Sequence, residues 1–334
     1  MIEVSHLSKK YGNFLAVHDV SFSVGSGEIV GFLGPNGAGK STIMNIITGY
    51  LSLSEGEVKI DGFDITRDPE KAKKRIGYLP EIPPLYPDMK VKEYLNFLFD
   101  LKRVKMPRAA HIDEIMEITG LKTHQNRLIK NLSKGYRQRV GLGGALIGNP
   151  DVLILDEPTV GLDPKQIIEI RSLIKRLGEN HTVIISSHIL SEIQAVCEKV
   201  IIINGGHLVA KGNITELSES LSADKTISLC AVCDKAALKS ALENIPGAEK
   251  VEEKPEKTKG ACRFVITPGS GEDIRSAVFD AVVSLGGKIL ELSANAVTLE
   301  QIFLLLTENA ENADAISMLK TTNKKEDETD DGDI

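Results

Sequence analysis

The clearest chemical signal in the sequence is a glycine-rich stretch between an apolar run that ends at Leu33 and a helical pattern that starts at Ile43. The stretch reads Gly34-Pro35-Asn36-Gly37-Ala38-Gly39-Lys40-Ser41-Thr42. Because glycines add no bulk, backbone N–H groups can wrap a polyphosphate, and the following helix adds the positive end of its dipole. We therefore expect Lys40 to reach the β- and γ-phosphates of a nucleotide, Ser41 to ligate Mg²⁺ and Thr42 to lie near the α-phosphate.

A second apolar run ends in two carboxylates. Residues 152–155 predict a fully buried strand, and Asp156 and Glu157 follow at its carboxyl end. In parallel sheets, ligands bind at that edge. We therefore expect this strand to lie beside the strand that enters the glycine-rich loop, with both carboxylates facing the phosphates.

A third motif lies upstream of the two carboxylates and reads Leu132-Ser133-Lys134-Gly135-Tyr136-Arg137-Gln138-Arg139. A Leu-Ser-x-Gly turn that enters a helix at this place resembles the signature of the ATP-binding subunits of ABC transporters. The resemblance implies an α/β P-loop NTPase domain (ABC ATPase) with antiparallel β and helical subdomains, which binds ATP and Mg²⁺ and hydrolyses ATP. In this family the signature contacts ATP held by a second ATP-binding subunit. Because this chain carries one copy, it is expected to work in a pair.

The resemblance also implies roles for individual residues. Asp156 corresponds to the residue that organises Mg²⁺, Glu157 to the carboxylate that polarises the attacking water, and His188 to the histidine that senses the γ-phosphate. Tyr11 matches the aromatic residue that stacks on adenine. The expected catalytic residues are Lys40, Glu157 and His188, and the expected metal ligands are Ser41, Glu81 and Asp156. The expected nucleotide contacts are Tyr11, Gly34, Pro35, Asn36, Gly37, Ala38, Gly39, Lys40, Ser41, Thr42, Ser133 and Gly135.

Three positions depart from the common family pattern. Glu81 stands where most members have Gln; its carboxylate can still ligate Mg²⁺ but donates no hydrogen bond. Lys134 and Tyr136 replace a Gly and a Gln of the signature, and the Lys134 cation could contact an anion in trans or lie in solvent. The form Tyr78-Leu79-Pro80-Glu81 resembles that of some ATPases of ABC-2-type and gliding-motility exporters, and residues 299–303 resemble the tail of ATPases that serve ABC-2-type exporters.

The pattern of elements predicts two domains and a tail. Residues 1–215 form the ATP-binding domain, with antiparallel strands at the start, a largely parallel sheet and a helical subdomain at about 85–150. Residues 218–310 have the order βαββαβ, which favours a smaller α+β ferredoxin-like domain closed by a helix at 299–307. Residues 311–334 are acidic and poor in apolar side chains, so we expect disorder there.

Composition limits the partners. The chain has 334 residues and a formal net charge of −7, which argues against broad nucleic-acid binding, so no nucleic-acid partner is expected. The sequence shows no apolar run long enough for a membrane span and no secretory signal. We expect a cytoplasmic protein, peripheral on the cytoplasmic face of the cell membrane through a polytopic permease subunit.

Several interpretations stay open at this point. The chain could be a soluble ABC ATPase that remodels a ribosome or a DNA complex, although such proteins usually carry two ATPase halves or a long coiled coil. Residues 218–308 could sense a ligand. For Cys230 and Cys233, strand alternation predicts opposite faces and favours packing over a metal or redox role. The cargo, its direction and the choice between a homodimer and a pair of paralogues are not determined.

Overall fold

The computed structural model describes residues 1–220, 226–258, 260–269, 273–295 and 303. These residues divide into two units, one within Met1–Asn213 and one within Ile214–Leu306. The closing helix expected at 299–307 lies outside the described residues except for residue 303, and the tail expected at 311–334 lies wholly outside them.

The first unit alternates strands and helices after an antiparallel start. Its strands are β1 Ile2–Tyr11, β2 Phe14–Val24, β3 Ile29–Leu33, β4 Glu55–Ile60, β5 Phe63–Asp64, β6 Ile76–Leu79, β7 Val152–Asp156, β8 Thr182–Ser187, β9 Lys199–Asn204 and β10 His207–Asn213. Its helices are α1 Lys40–Ile47, α2 Pro69–Lys74, α3 Val91–Leu101, α4 Arg108–Ile118, α5 Lys134–Leu146, α6 Pro164–Gly178 and α7 Leu190–Gln194, with 3₁₀ turns at Lys122–His124 and Ile129–Asn131.

A six-stranded sheet of order β10-β9-β3-β8-β7-β6 runs through this unit. All neighbours in it are parallel except β10, which is antiparallel to β9. Every residue of β7 and β8 is buried, as expected for strands covered on both faces. The carboxyl ends of β3, β7 and β8 therefore meet at one edge of the sheet.

One expectation about this sheet was wrong. The strand that ends in Asp156, β7, does not lie beside β3, because β8 pairs with both of them. The order of strands along a chain leaves their lateral order open, since a crossover helix can carry the next strand past a neighbour. As a result, Ser186, Ser187 and the histidine after them lie between the glycine-rich loop and the two carboxylates.

A shared hydrophobic core joins this sheet to a second one. The second sheet is antiparallel, with the order β2-β1-β4-β5. Ile2 and Leu7 of β1 pack in one buried cluster with Ile43 and Met44 of α1 and with Phe32 of β3. This core holds the antiparallel sheet, the first helix and the parallel sheet as one layered body.

Helix α5 lies directly against β6. A Cβ atom on Gly77 in β6 would come within 2.4 Å of the Ala145 carbonyl oxygen in α5, and one on Gly141 within 2.7 Å of the Leu79 side chain. Helices α3 and α4 also pack against α5. Glycine lets the backbone of β6 approach that of α5 at Gly77 and lets the Leu79 side chain pack on the helix backbone at Gly141, which fixes the helix that Ser133 caps and whose first turn carries Gly135.

The second unit has the predicted βαββαβ order. After α8 Ile214–Ser220 come β11 Thr226–Val232, α9 Lys235–Glu243, β12 Ala248–Lys254, β13 Cys262–Pro268, α10 Arg275–Ser284 and β14 Lys288–Asn295. The strands pair in the antiparallel order β12-β13-β11-β14, which is the ferredoxin-like arrangement. Leu238, Phe264 and Val278 lie in its core, where α9 and α10 cover one face of the sheet.

The two cysteines of the second unit singled out by spacing have different surroundings. The Cys230 sulfur lies 3.5 Å from a carboxylate oxygen of Glu256. Cys233 packs against the hydrophobic core that also contains Cys262. In the part of the chain that the structure describes, no helix combines the length and the apolar character that crossing a membrane requires.

The contact between β6 and α5 gives a stability prediction. Gly77→Ala is expected to destabilise the protein by about 1–3 kcal/mol, because the added methyl meets a backbone oxygen that cannot turn aside. The midpoint of urea unfolding measures the effect. Gly12→Asn is the control, since Gly12 lies in an open turn with a left-handed φ that Asn tolerates. Equal stability of the two variants would contradict the packing argument.

Candidate nucleotide site

The backbone around the glycine-rich loop leaves no room for side chains at two positions. A Cβ atom on Gly34 would lie 2.3 Å from the Ile203 carbonyl oxygen. Gly39, directly before α1, has a φ of +101°, in the region that favours glycine. The turn between β9 and β10 supports the loop, because the Gly206 N–H donates to the Ala38 carbonyl oxygen at 2.9 Å. The loop therefore has a fixed shape that presents the N-terminus of α1 to the space above it.

Lys40 is almost wholly buried beneath this loop. Its Nζ donates to the carbonyl oxygens of Gly34 at 2.6 Å and Pro35 at 3.1 Å. Burial lowers the pKa of the Lys40 ammonium below its ordinary value, while the charges of Glu157 and Asp156 act in the opposite direction. The ammonium is thus held close to two carboxylates and within its own loop, where a phosphate oxygen would be a stronger partner than a neutral carbonyl.

Ser186 connects the two carboxylate residues to β8. Its hydroxyl donates to Asp156 Oδ1 and accepts a hydrogen bond of 3.0 Å from the Glu157 N–H. Glu157 has a φ of +47°, which is uncommon for a residue with a side chain. The bond to its N–H helps to hold this conformation at the point where the chain leaves the sheet, and it directs the two carboxylates into one space.

Glu157 and His188 form a direct pair. His188 Nδ1 lies 2.9 Å from Glu157 Oε2, and the Glu157 side chain is only 12% exposed while that of His188 is 47% exposed. Burial raises the pKa of Glu157 above its ordinary value; the hydrogen bond with His188 and the charge of Lys40 oppose this shift. A carboxylate in such surroundings is a suitable base for polarising water.

One cavity of about 410 Å³ gathers most of the predicted site residues. Its lining includes Tyr11, Asn36, Gly37, Ala38, Gly39, Lys40, Ser41, Thr42, Glu81, Asp156, Glu157 and His188. Gly34 and Pro35 are not part of this lining but hold Lys40 through their carbonyl oxygens. Ser133 and Gly135 do not line the cavity either.

At one end of the cavity stands an aromatic side chain. Tyr11 lies at the tip of the β1–β2 hairpin and is 48% exposed, so one face of its ring can receive a planar base. The Lys9 ammonium lies 5.3 Å from the ring centroid and donates to the Ser52 carbonyl oxygen, which steadies the ring. Phe14, which pairs with Tyr11 across the hairpin, also lines the cavity.

Comparison with known proteins identifies the family. Residues 17–160 match the family model described as ABC transporter. The chain is 32% identical over 311 residues to the linearmycin resistance ATP-binding protein LnrL of Bacillus subtilis (strain 168), covering 92% of this chain and 98% of LnrL. The chain belongs to the ATP-binding proteins of ABC transporters. It is an ATPase, and the match to LnrL extends beyond the first unit, which accounts for only 213 residues.

Two further ABC proteins support the assignment. The bacitracin transport ATP-binding protein BcrA of Bacillus licheniformis is 39% identical over 211 residues, covering 63% of this chain and 68% of BcrA. The bacterial ABC transporter cassette MJ0796 was solved as a dimer and as a dimer in a post-hydrolysis state with ADP and Pi. It matches with a TM-score of 0.58 and 29% identity over 64% of this chain and 98% of the cassette.

The signature of this ABC ATPase packs against its own chain, outside the cavity. Ser133 caps α5, with its hydroxyl accepting from the Tyr136 N–H at 3.4 Å, and it is exposed. Gly135 is buried, and a Cβ atom there would come within 2.4 Å of Gln166 Oε1 in the first turn of α6. The signature turn is therefore packed against the segment that follows the two carboxylates.

Lys134 occupies a place that the sequence left undecided. A Cβ atom on Gly161 would come within 2.1 Å of Lys134 Nζ, so the ammonium lies against the backbone of the loop between β7 and α6. The residue is exposed. The exposed cation therefore lies on the loop backbone, and among the described residues it forms no ion pair with a carboxylate.

The oxygen atoms that line the cavity fit Mg²⁺. Ser41, Glu81 and Asp156 line it and offer oxygen atoms, the ligands that Mg²⁺ prefers. Among the described residues, no three His, Cys, Asp or Glu side chains are arranged to hold an ion by themselves. Mg²⁺ commonly takes one or two carboxylates and completes its shell with phosphate and water. The residues thus fit an ion that arrives with the nucleotide.

Sequence reasoning missed Ser186 and Phe14. Ser186 is wholly buried, although serine is a common surface residue. The sequence signal for its role was the pair of serines, Ser186 and Ser187, that ends the buried strand β8. Phe14 was assigned only to a strand, yet it is 69% exposed beside the cavity. Its position at the start of β2, three residues before Val17, the first buried residue of that strand, offered no signal.

The Glu157–His188 pair gives a prediction for turnover. Glu157→Gln keeps the size of the side chain but removes the base, so steady-state ATP hydrolysis is expected to fall by about 100-fold or more. ATP should still bind, because Lys40 and the glycine-rich loop are unchanged. Phosphate release measures turnover, and fluorescence titration with a nucleotide analogue measures binding.

The matched control is Glu179→Gln, which changes an exposed glutamate at the end of α6. It should hydrolyse ATP at the rate of the unchanged chain. Full turnover by Glu157→Gln would remove Glu157 from the catalytic role.

Proposed function

We propose that this chain is the ATP-binding and hydrolysing subunit of an ABC-2-type exporter, in which ATP closes two such subunits head to tail. One observation carries the proposal. The expected in-cis contacts other than Gly34 and Pro35 line one cavity, whereas Ser133, exposed at the N-cap of α5, and Gly135, buried in its first turn, lie outside that cavity. A site that needs the signature is therefore completed by a second chain.

In this arrangement each nucleotide lies between two subunits. One subunit supplies Lys40, Ser41, Glu157 and His188, and its Ser41, Asp156 and Glu81 would hold Mg²⁺, which would neutralise charge on the phosphates. The other subunit supplies the Ser133 hydroxyl and backbone N–H groups at the N-terminus of α5, which suit the γ-phosphate. Hydrolysis breaks the bond between the β- and γ-phosphates and gives ADP and inorganic phosphate, so no single ligand joins the two faces any longer, and the pair reopens as phosphate leaves.

A second cavity supports docking of a membrane permease. It has a volume of about 450 Å³ and an apolar floor. Its apolar residues are Ile82, Pro83, Leu85, Pro87, Ile129 and Val160. Glu81 and Val160 line both this cavity and the nucleotide cavity. If these two shared residues move when the nucleotide contacts change, the contacts of a permease segment bound in the second cavity change as well.

The basic edge of this second cavity favours a particular kind of permease segment. Lys134 and Arg137 line it beside the apolar residues, and Lys130, which also lines it, pairs with Asp88 at 2.7 Å. Ile82 is 81% exposed, so a partner would cover apolar surface that is now in water. We expect a short segment with apolar side chains and at least one carboxylate, held at the cytoplasmic face of the membrane.

The direction of transport rests on similarity. LnrL is named for linearmycin resistance and BcrA for bacitracin transport, and an exporter is the transporter class that removes a toxic compound from a cell. The Tyr78-Leu79-Pro80-Glu81 form, shared with exporter ATPases of the ABC-2 type, points the same way.

Mixing two inactive variants tests the shared site. Lys40→Ala removes the phosphate-binding lysine, and Ser133→Arg blocks the signature, so each variant alone should hydrolyse almost no ATP. A mixed dimer contains one intact site, formed by Lys40 of one chain and Ser133 of the other. Phosphate release should therefore reappear on mixing. If mixing restores nothing while both variants remain folded, the site does not draw on two chains.

The permease contact is tested separately with Ile82→Asp. In washed membranes from cells that naturally express the chain, the unchanged protein is expected to sediment, whereas the variant should remain in the supernatant because a carboxylate is costly on an apolar interface. The thermal unfolding midpoint serves as the control for folding. Equal sedimentation of both proteins would place the permease elsewhere.

A further inference from the structure

A buried polar cluster lies behind His188 and takes no part in lining the nucleotide cavity. At its centre is Glu192 in α7, which is only 6% exposed. Its Oε2 accepts hydrogen bonds from the hydroxyls of Thr159 and, at 3.3 Å, Ser187. Its Oε1 lies 3.7 Å from Arg171 Nη2 in α6. The carboxylate thus contacts three separate segments of the chain.

Two of these segments carry the proposed catalytic residues. Thr159 follows Glu157 by two positions, with the rigid Pro158 between them. Ser187 directly precedes His188, and its hydroxyl also accepts from the Ile189 N–H at 3.0 Å. A single carboxylate therefore joins the backbone turn that carries Glu157 to the turn that carries His188.

We propose that Glu192 is a positioning residue for ATP hydrolysis, an inference that rests on the proposed roles of Glu157 and His188. By accepting from Thr159 and Ser187 together, it sets the distance between the two turns. The 2.9 Å contact between Glu157 and His188 on the cavity side follows from that distance. Both side chains then face one water molecule beside the γ-phosphate.

The surroundings of Glu192 fit positioning better than stabilisation. A buried carboxylate is expensive to desolvate, and an apolar side chain could fill the same space at lower cost. The ion pair with Arg171 is longer than a close salt bridge, and within the described residues Arg171 Nε is buried without a hydrogen-bond partner. The hydrogen bonds of the carboxylate are those from the two hydroxyls, the one from Thr159 being the shorter, and these are the contacts that tie the two turns together.

Glu192→Gln tests the inference in the full-length chain. The amide has the same size, but its neutral oxygen is a weaker acceptor for the two hydroxyls that share Oε2, and its NH2 group would face the Arg171 guanidinium, so the two turns should be held less closely. We expect kcat to fall by about tenfold or more, since small misplacements of reacting groups have effects of this size. KM for ATP should stay within about twofold, because the cavity lining is unchanged. Glu192→Asp, which keeps the charge, should recover part of kcat.

Non-additivity separates this role from a general loss of stability. If Glu192 acts through Thr159, the double variant Glu192→Gln with Thr159→Val should have a kcat no lower than the worse single variant. The control Glu198→Gln changes an exposed glutamate just after α7 and should leave kcat unchanged. The urea midpoint of each variant is measured alongside.

Three results would decide against the inference or its basis. A normal kcat for a folded Glu192→Gln overturns it, and so does a fall in kcat that is matched by a raised KM and a lowered urea midpoint. If Glu157→Gln hydrolyses ATP at the normal rate, Glu157 is not the catalytic carboxylate, and the inference about Glu192 loses its basis. If Glu157→Gln is inactive and Glu192→Gln is normal, only the positioning role of Glu192 is lost.

Discussion

The site depends on the hydrogen bonds of Ser186 at the end of β8. Its hydroxyl donates to Asp156 and accepts from the Glu157 N–H, so it joins the carboxyl end of β7 to that of the neighbouring strand β8. Because Asp156 is paired with Ser186 in the sheet, the position of one carboxylate follows from strand register. The uncommon φ of Glu157 then turns the second carboxylate out of the sheet and towards His188.

The order of the strands brings the carboxylates that Ser186 holds next to the glycine-rich loop and the histidine turn. With β8 between β3 and β7, the glycine-rich loop, the histidine turn and the carboxylates follow one another along a single edge. Ser186 and Ser187 point to opposite faces of β8, as successive strand residues do. Ser186 holds the carboxylate strand, while Ser187 reaches the cluster around Glu192. Two adjacent hydroxyls thus hold the carboxylates at the cavity and the buried polar cluster around Glu192, respectively.

The loop between β7 and α6 also connects the site to its surroundings. The chain that leaves Glu157 passes Gly161, where Lys134 of the signature lies, and enters α6, where Gln166 contacts Gly135. Val160 of this segment and Glu81 line both cavities. A displacement of the loop between β7 and α6 would therefore move residues that contact the signature, residues that line the nucleotide cavity and residues that line the second cavity, where we propose that the permease docks.

The sequence alone was sufficient for features that depend on local order. The glycine-rich loop between strand and helix, the βαββαβ order of the second unit and the ATPase family all follow from residue types at short spacing, because turn geometry and periodicity act over a few residues. The convergence of Lys40, Asp156, Glu157 and His188 on one edge was also predictable, since parallel strands end together. The lateral order of the strands was not, and the expected neighbour of β3 was wrong. Nor could spacing reveal that Ser186 holds Asp156, that Glu192 joins two turns or that Lys134 lies against Gly161. Those contacts join residues far apart in the chain, and only the packing of β8 between its neighbours, with α6 and α7 folded against them, brings them within hydrogen-bond reach.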